Sequence, residues 1–149
     1  MSTKSQLDSI STELSARRTG MSFQRTRLSS ERTLMSVIRT SLSLIGFGFT
    51  IFQFFQKLKI AGTLEHDRAP RHFGLALVFL GVGILALGIV YHLRFMVGLR
   101  EERKQMKSSG LIHGESEYPV SFTLIVAVLL LTIGLMAILS MTFGVGPFG

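Results

Sequence analysis

The chain has 149 residues, no cysteine and a formal net charge of +7, and 47% of it is hydrophobic. Those apolar residues are gathered into three runs rather than dispersed, which sets aside a soluble globular domain and points to a membrane protein. Without cysteine there is no disulfide or thiol chemistry, and the positive charge is accounted for by basic flanks facing anionic lipid headgroups, with no nucleic-acid partner required.

The first element, residues 1–30, is a basic cytoplasmic segment expected to be helical. It has no short apolar core followed by a small-residue cleavage site, so the first apolar helix is expected to act as its own insertion signal. Thr3 followed by Gln6 makes a capping-box start, and Leu7, Ile10 and Leu14 recur at helical spacing. Gly20 is expected to end or bend this helix, since glycine costs about 1 kcal/mol inside one. Ser29 or Ser30 would cap a new start, with Glu31 well placed in its first turn.

A seven-residue repeat crosses that boundary. Arg-Thr recurs at Arg18-Thr19, Arg25-Thr26, Arg32-Thr33 and Arg39-Thr40, and Ser recurs at Ser15, Ser22, Ser29, Ser36 and Ser43, each preceded by Leu or Met. At ~100° per residue these Ser, Arg and Thr side chains share one helix face. Seven residues fall about 20° short of two turns, so the face drifts and favours a left-handed supercoil. It continues as Arg32, Ser36, Arg39, Ser43, Gly46, Thr50 and Gln53 into the first membrane helix, expected over about 33–55. Lipid cannot satisfy such groups, so the stripe should face other helices or water.

The second membrane helix is expected over about 73–95. It carries Gly74, Gly81 and Gly88 at seven-residue spacing, with Gly83 and Ala86 nearby, a pattern that permits close helix approach within one subunit or between subunits. The preceding loop, Gln56 to His72, reads as a plain turn, and Arg94 to Lys107 extend the second helix until Ser108-Ser109-Gly110. A third helix is expected over 121–143. The fold class is therefore all-α: a membrane domain, 31–149, of three transmembrane helices behind a basic amphipathic N-terminal extension, assembled as a cyclic homo-oligomer. Eleven basic residues flank the N-terminal side and second loop against four in the first loop and none in the C-terminal tail. The positive-inside rule then places the N-terminus in the cytoplasm and the C-terminus outside.

Two accounts of the stripe stand side by side. In one, the arginines bind anionic lipid, Arg39 snorkels to the headgroups, and the hydroxyls bond back to their own helix or glue helices together. In the other, Arg25, Arg32 and Arg39 from several copies form stacked cationic rings that admit anions, with Ser36, Ser43, Gln53 and Arg94 among the lining residues and Arg18 in a vestibule. Glu31 would then pair with Arg32 of a neighbouring copy or with Arg94, and Gly46, Gly74, Gly81 and Gly88 would serve helix packing. Little else suggests chemistry. His66, His72, His92 and His113 include no i, i+4 pair, and there is no phosphate loop, no nucleophile with a base and no facing carboxylates. No metal, no cofactor and no enzyme activity are expected.

The stretch from Glu31-Arg32-Thr33 through Arg39-Thr40-Ser41 to Gly46-Phe47-Gly48 resembles the family called domain of unknown function two-zero-two, small three-helix bacterial inner-membrane proteins. The same domain forms the membrane part of the vacuolar transporter chaperone, a polyphosphate polymerase complex. The resemblance covers roughly 24–143, with Val37 where bacterial relatives usually carry Trp and Leu34 where they carry Phe. It implies a bacterial inner-membrane location and a basic conduit to which Glu31, Arg32 and Arg94 contribute. The chaperone's phosphate-sensing and polymerase domains have no counterpart here, so passage of an anion is implied and synthesis is not. The expected function is an oligomeric assembly that binds or conducts anions, phosphate or polyphosphate first. The alternative is a non-conducting accessory or scaffold subunit whose N-terminal helix docks a partner.

Overall fold

Three helices account for nearly all of what the computed structural model describes, residues 3–62, 69–108 and 121–146. They are α1, Thr3–Ile60; α2, Ala69–Ser108; and α3, Phe122–Phe143, with no strand among the described residues. Each is long and apolar enough to cross a membrane, so the chain is an integral membrane protein with three candidate spans. The turn expected around Glu65 and Asp67, the break at Ser109-Gly110, and His66 and His113 lie outside the described residues.

α1 corrects one expectation. It is a single helix of 58 residues that runs through Gly20 and through Ser29-Ser30 without interruption. Gly20 is half-buried, and Ser30 turns its hydroxyl to another helix instead of capping a new one. A glycine penalty of about 1 kcal/mol is too small to end a helix that is fixed by packing on both sides of it. α1 does end where a left-handed residue is available: Gly62 has φ 75°, and its N–H donates to the Lys59 carbonyl at 3.2 Å. Gly144, φ 63°, closes α3 in the same way by donating to the Ser140 carbonyl at 2.9 Å. α2 continues beyond its apolar run to Ser108, as the basic sequence after Arg94 predicts.

The chain divides into two units, Leu34–Val90 with Val120–Gly149, and Met1–Thr33 with Tyr91–Pro119. In the first of these, the three helices form an up-down-up bundle with two apolar clusters. Leu34 and Ile38 meet Leu85, Ile89 and Ala127 in one. Ile45 and Phe52 meet Val78, Val82 and Met141 in the other. The order of contacts makes α1 antiparallel to α2 and parallel to α3. Small residues let the helices approach: Gly88 lies against Val37, Gly81 against Ser41 and Ile45, Gly74 against Gly48 and Phe52, and Gly134 of α3 against Val82 and Ile45. The seam of Gly74, Gly81 and Gly88 therefore packs inside one subunit. Gly46, expected among these glycines, has open space around it, and Gly48 occupies the seam instead. Several large side chains of α3, among them Leu129, Ile133, Leu135 and Met136, are exposed, as a lipid-facing surface requires. Arg71 rests its guanidinium 5.3 Å from the centroid of the Phe52 ring.

In the second unit, α1 half-buries Ala16, Thr19, Gly20, Phe23, Thr26, Arg27, Ser30 and Glu31, a sequence of three- and four-residue steps along one face. The α2 residues that lose solvent contact in this unit are His92, Phe95, Met96 and Leu99, again one face.

Candidate functional site: the open face of α1

The inner edge of α1 in the three-helix unit is Leu34, Ile38, Ser41, Ile45, Gly48 and Phe52. Five residues of the polar stripe each precede one of these by two positions: Ser36 before Ile38, Arg39 before Ser41, Ser43 before Ile45, Gly46 before Gly48, Thr50 before Phe52. Two residues are ~200° of helix rotation, so the stripe lies on the side of α1 opposite its own core. Ser36, Arg39, Ser43, Gly46 and Thr50 are all exposed, while Gln53 is half-buried. α2 and α3 hide none of the exposed members.

Hydrogen bonding narrows what needs satisfying. Thr40 donates its hydroxyl to the Ser36 carbonyl at 3.0 Å, Ser43 to the Arg39 carbonyl at 2.9 Å, and Thr50 to the Gly46 carbonyl at 2.8 Å. In the other unit, Thr19, Thr26 and Thr33 donate in the same way to the carbonyls of Ser15, Ser22 and Ser29. The repeat is thus partly self-contained: each threonine is served by the residue four positions earlier. The guanidinium groups are not. Among its described residues the three-helix unit contains no Asp or Glu at all, so Arg39 has no counter-ion there. In the second unit, Arg25, Arg32 and Arg94 are exposed and no described residue pairs with them.

Of the two partners expected for Glu31, Arg94 is not the one that it meets within the chain. Its carboxylate lies 3.9 Å from Arg27 Nε on the same helix, and not against Arg94. The i, i+4 spacing makes that pair available locally. Beside it, Ser30 Oγ lies 3.0 Å from Nδ1 of His92, a residue that is 3% exposed. Spacing along the chain gives no hint of this cluster, because its members sit on two helices; a lone histidine near the end of an apolar run was its only trace.

An exposed apolar ladder runs beside the arginines. Leu7, Leu14, Met21 and Leu28 in one unit, and Met35 and Leu42 in the other, are exposed at strict seven-residue intervals. Leu14, Met21, Leu28 and Met35 each precede an arginine of the repeat by four residues, so Leu28 lies next to Arg32 and Met35 next to Arg39 on the helix surface. An α1 face with apolar and cationic groups in register is suited to association with another helix of the same repeat and, at the arginines, to holding an anion.

Comparison with known proteins agrees with the sequence resemblance at the level of the family. A family model described as a domain of unknown function (DUF202) matches residues 16–98, more than half of the chain. No curated protein and no solved structure matches the chain.

Proposed function

We propose that this chain, which belongs to the DUF202 family, assembles as a cyclic homo-oligomer around α1 and that the assembly binds or conducts inorganic anions. The observation that carries the reading is Arg39, which sits on an exposed face opposite the core of its unit with no described carboxylate there to pair with. A guanidinium facing hydrocarbon costs several kcal/mol, by contested estimates of ~3 or more. Gathering copies around a shared aqueous axis removes that cost and gives Arg25, Arg32 and Arg39 the form of cationic rings spaced about 10.5 Å apart along the helix. The Leu and Met ladder supplies the contact between neighbouring copies, and its seven-residue period matches a left-handed supercoil.

Phosphate or polyphosphate is the first-choice ligand, because guanidinium groups match phosphate oxygens in a two-pronged geometry, and because of the resemblance to the membrane part of the vacuolar transporter chaperone. The membrane is the bacterial inner membrane, with the N-terminus and second loop cytoplasmic and the C-terminus outside, as the eleven-to-four distribution of basic residues supports. Reconstituted liposomes test the reading. Phosphate and chloride efflux should be measurable with the unaltered protein and should fall to the level of protein-free vesicles in Arg32→Ala/Arg39→Ala. Equal flux in the two preparations contradicts it.

A second reading, a non-conducting scaffold subunit, is favoured by one observation. Leu7, Ile10 and Leu14 are exposed on the N-terminal part of α1, where a partner helix would cover them. Assembly through α1 without ion flux would select it.

A further inference from the structure

Ser30, Glu31, Arg27 and His92 form an enclosed polar group in the second unit, in which the partner of Glu31 within the chain is Arg27 and not Arg94. His92 is nearly inaccessible, and the side chains of Arg27 and Glu31 are only 20% and 28% exposed. We propose that His92 is a proton-binding site that redirects Glu31 between two partners, Arg27 while the imidazole is neutral and His92 once it is protonated.

Three features carry this. First, the partner of Nδ1 is a hydroxyl. Serine accepts from an N–H and donates to a bare ring nitrogen, so the contact survives either tautomer and the imidazolium alike. A backbone carbonyl in that place would serve only the protonated nitrogen. Second, Glu31 follows Ser30 directly in the chain, and Ser30 touches the ring, so the Glu31 carboxylate and its partner Arg27 are carried on the stretch of α1 that meets His92. On its own helix, Arg94 is two residues away and exposed. Third, the Arg27–Glu31 contact is loose. At 3.9 Å it stands at the outer limit of an ion pair and lacks the short, two-pronged geometry of a strong one. A new positive charge on the enclosed imidazole competes for the carboxylate with little screening by water. Proton uptake by Nδ1 or Nε2 adds one unit of charge, and nothing else is made or broken beyond hydrogen bonds.

The link to ion movement rests on the proposed function: an added positive charge in the same unit as Arg25 and Arg32 would strengthen anion attraction as the cytoplasm acidifies. The proton site stands apart from that link. Solid-state NMR of the full chain, labelled with 15N-histidine in phospholipid vesicles, tests it between about pH 8 and pH 5, the range in which histidine changes charge. The His92 signals are identified by their loss in His92→Gln. The expected result is conversion to imidazolium within that range. The conversion should move to lower pH in Glu31→Gln and to higher pH in Arg27→Gln. A ring that stays neutral throughout, or a transition that neither substitution moves, overturns the proposal. Because the readout is not flux, failure to move anions bears on the proposed function and leaves this test intact.

Discussion

Gly48 on α1 and Gly74 on α2 meet backbone against backbone: a Cβ on Gly48 would fall 2.6 Å from the Gly74 carbonyl oxygen, and a Cβ on Gly74 would fall 2.7 Å from that of Gly48. Neither oxygen can retreat without moving its helix. Gly48→Ala and Gly74→Ala should each lower the unfolding stability of the detergent-solubilised protein by about 1–3 kcal/mol, the usual cost of overfilling a close contact. Gly46→Ala, two residues away with open space, should leave the subunit unchanged or up to ~1 kcal/mol more stable through helix propensity. Equal effects at positions 46 and 48 would refute the register of this seam.

Ser41 is fully buried, and its hydroxyl has no hydrogen-bond partner among the described residues. An unmet buried polar group costs about 1–3 kcal/mol. Ser41→Ala should therefore stabilise the bundle, by roughly 1 kcal/mol once the small loss of packing is included. Thermal unfolding monitored by circular dichroism measures it, and a clear loss of stability would mean that the hydroxyl has a role the bundle alone does not reveal.

Ser30→Ala removes the hydrogen-bond partner of the buried His92 ring nitrogen and should cost about 1–3 kcal/mol. Ser29→Ala, on an exposed residue whose carbonyl already serves Thr33, should cost less than about 0.5 kcal/mol. Chemical denaturation of the two variants side by side gives the comparison.

Thr40→Val keeps the shape of the side chain and deletes a hydroxyl that is bonded to its own helix at 3.0 Å. Helix stability should change by less than about 0.5 kcal/mol, and the proposed oligomer should persist. If Thr40→Val dissolves the assembly in native mass spectrometry, the threonines bind between helices and the account of a self-contained repeat is mistaken.

The sequence made the three helices legible because apolar runs of about twenty residues have few other uses, and it marked Gly74, Gly81 and Gly88 as a seam. It did not show which face of α1 they would meet. Choosing Gly48 over Gly46 depends on the rotation of α1, and that is set by Leu34, Ile38, Ile45 and Phe52 filling the core. Gly20 and Ser29-Ser30 carry local signals for a break worth about 1 kcal/mol each, and packing of the second unit outweighs them. Glu31 found a partner four residues back rather than on α2. The open stripe was legible as a pattern, since its period is written in the Arg-Thr repeat. The His92 cluster was not, since a contact between residues 62 positions apart leaves no local trace.

In the proposed assembly the open face of α1 meets the same face of other copies. The chain has no cysteine, so single cysteines placed one at a time report on this directly by oxidative cross-linking in native membranes. Ser36→Cys and Ser43→Cys should cross-link copies readily, and Leu129→Cys, on the exposed side of α3, should not. Cross-linking at position 129 with none at 36 or 43 would place α1 on the outside and contradict the account.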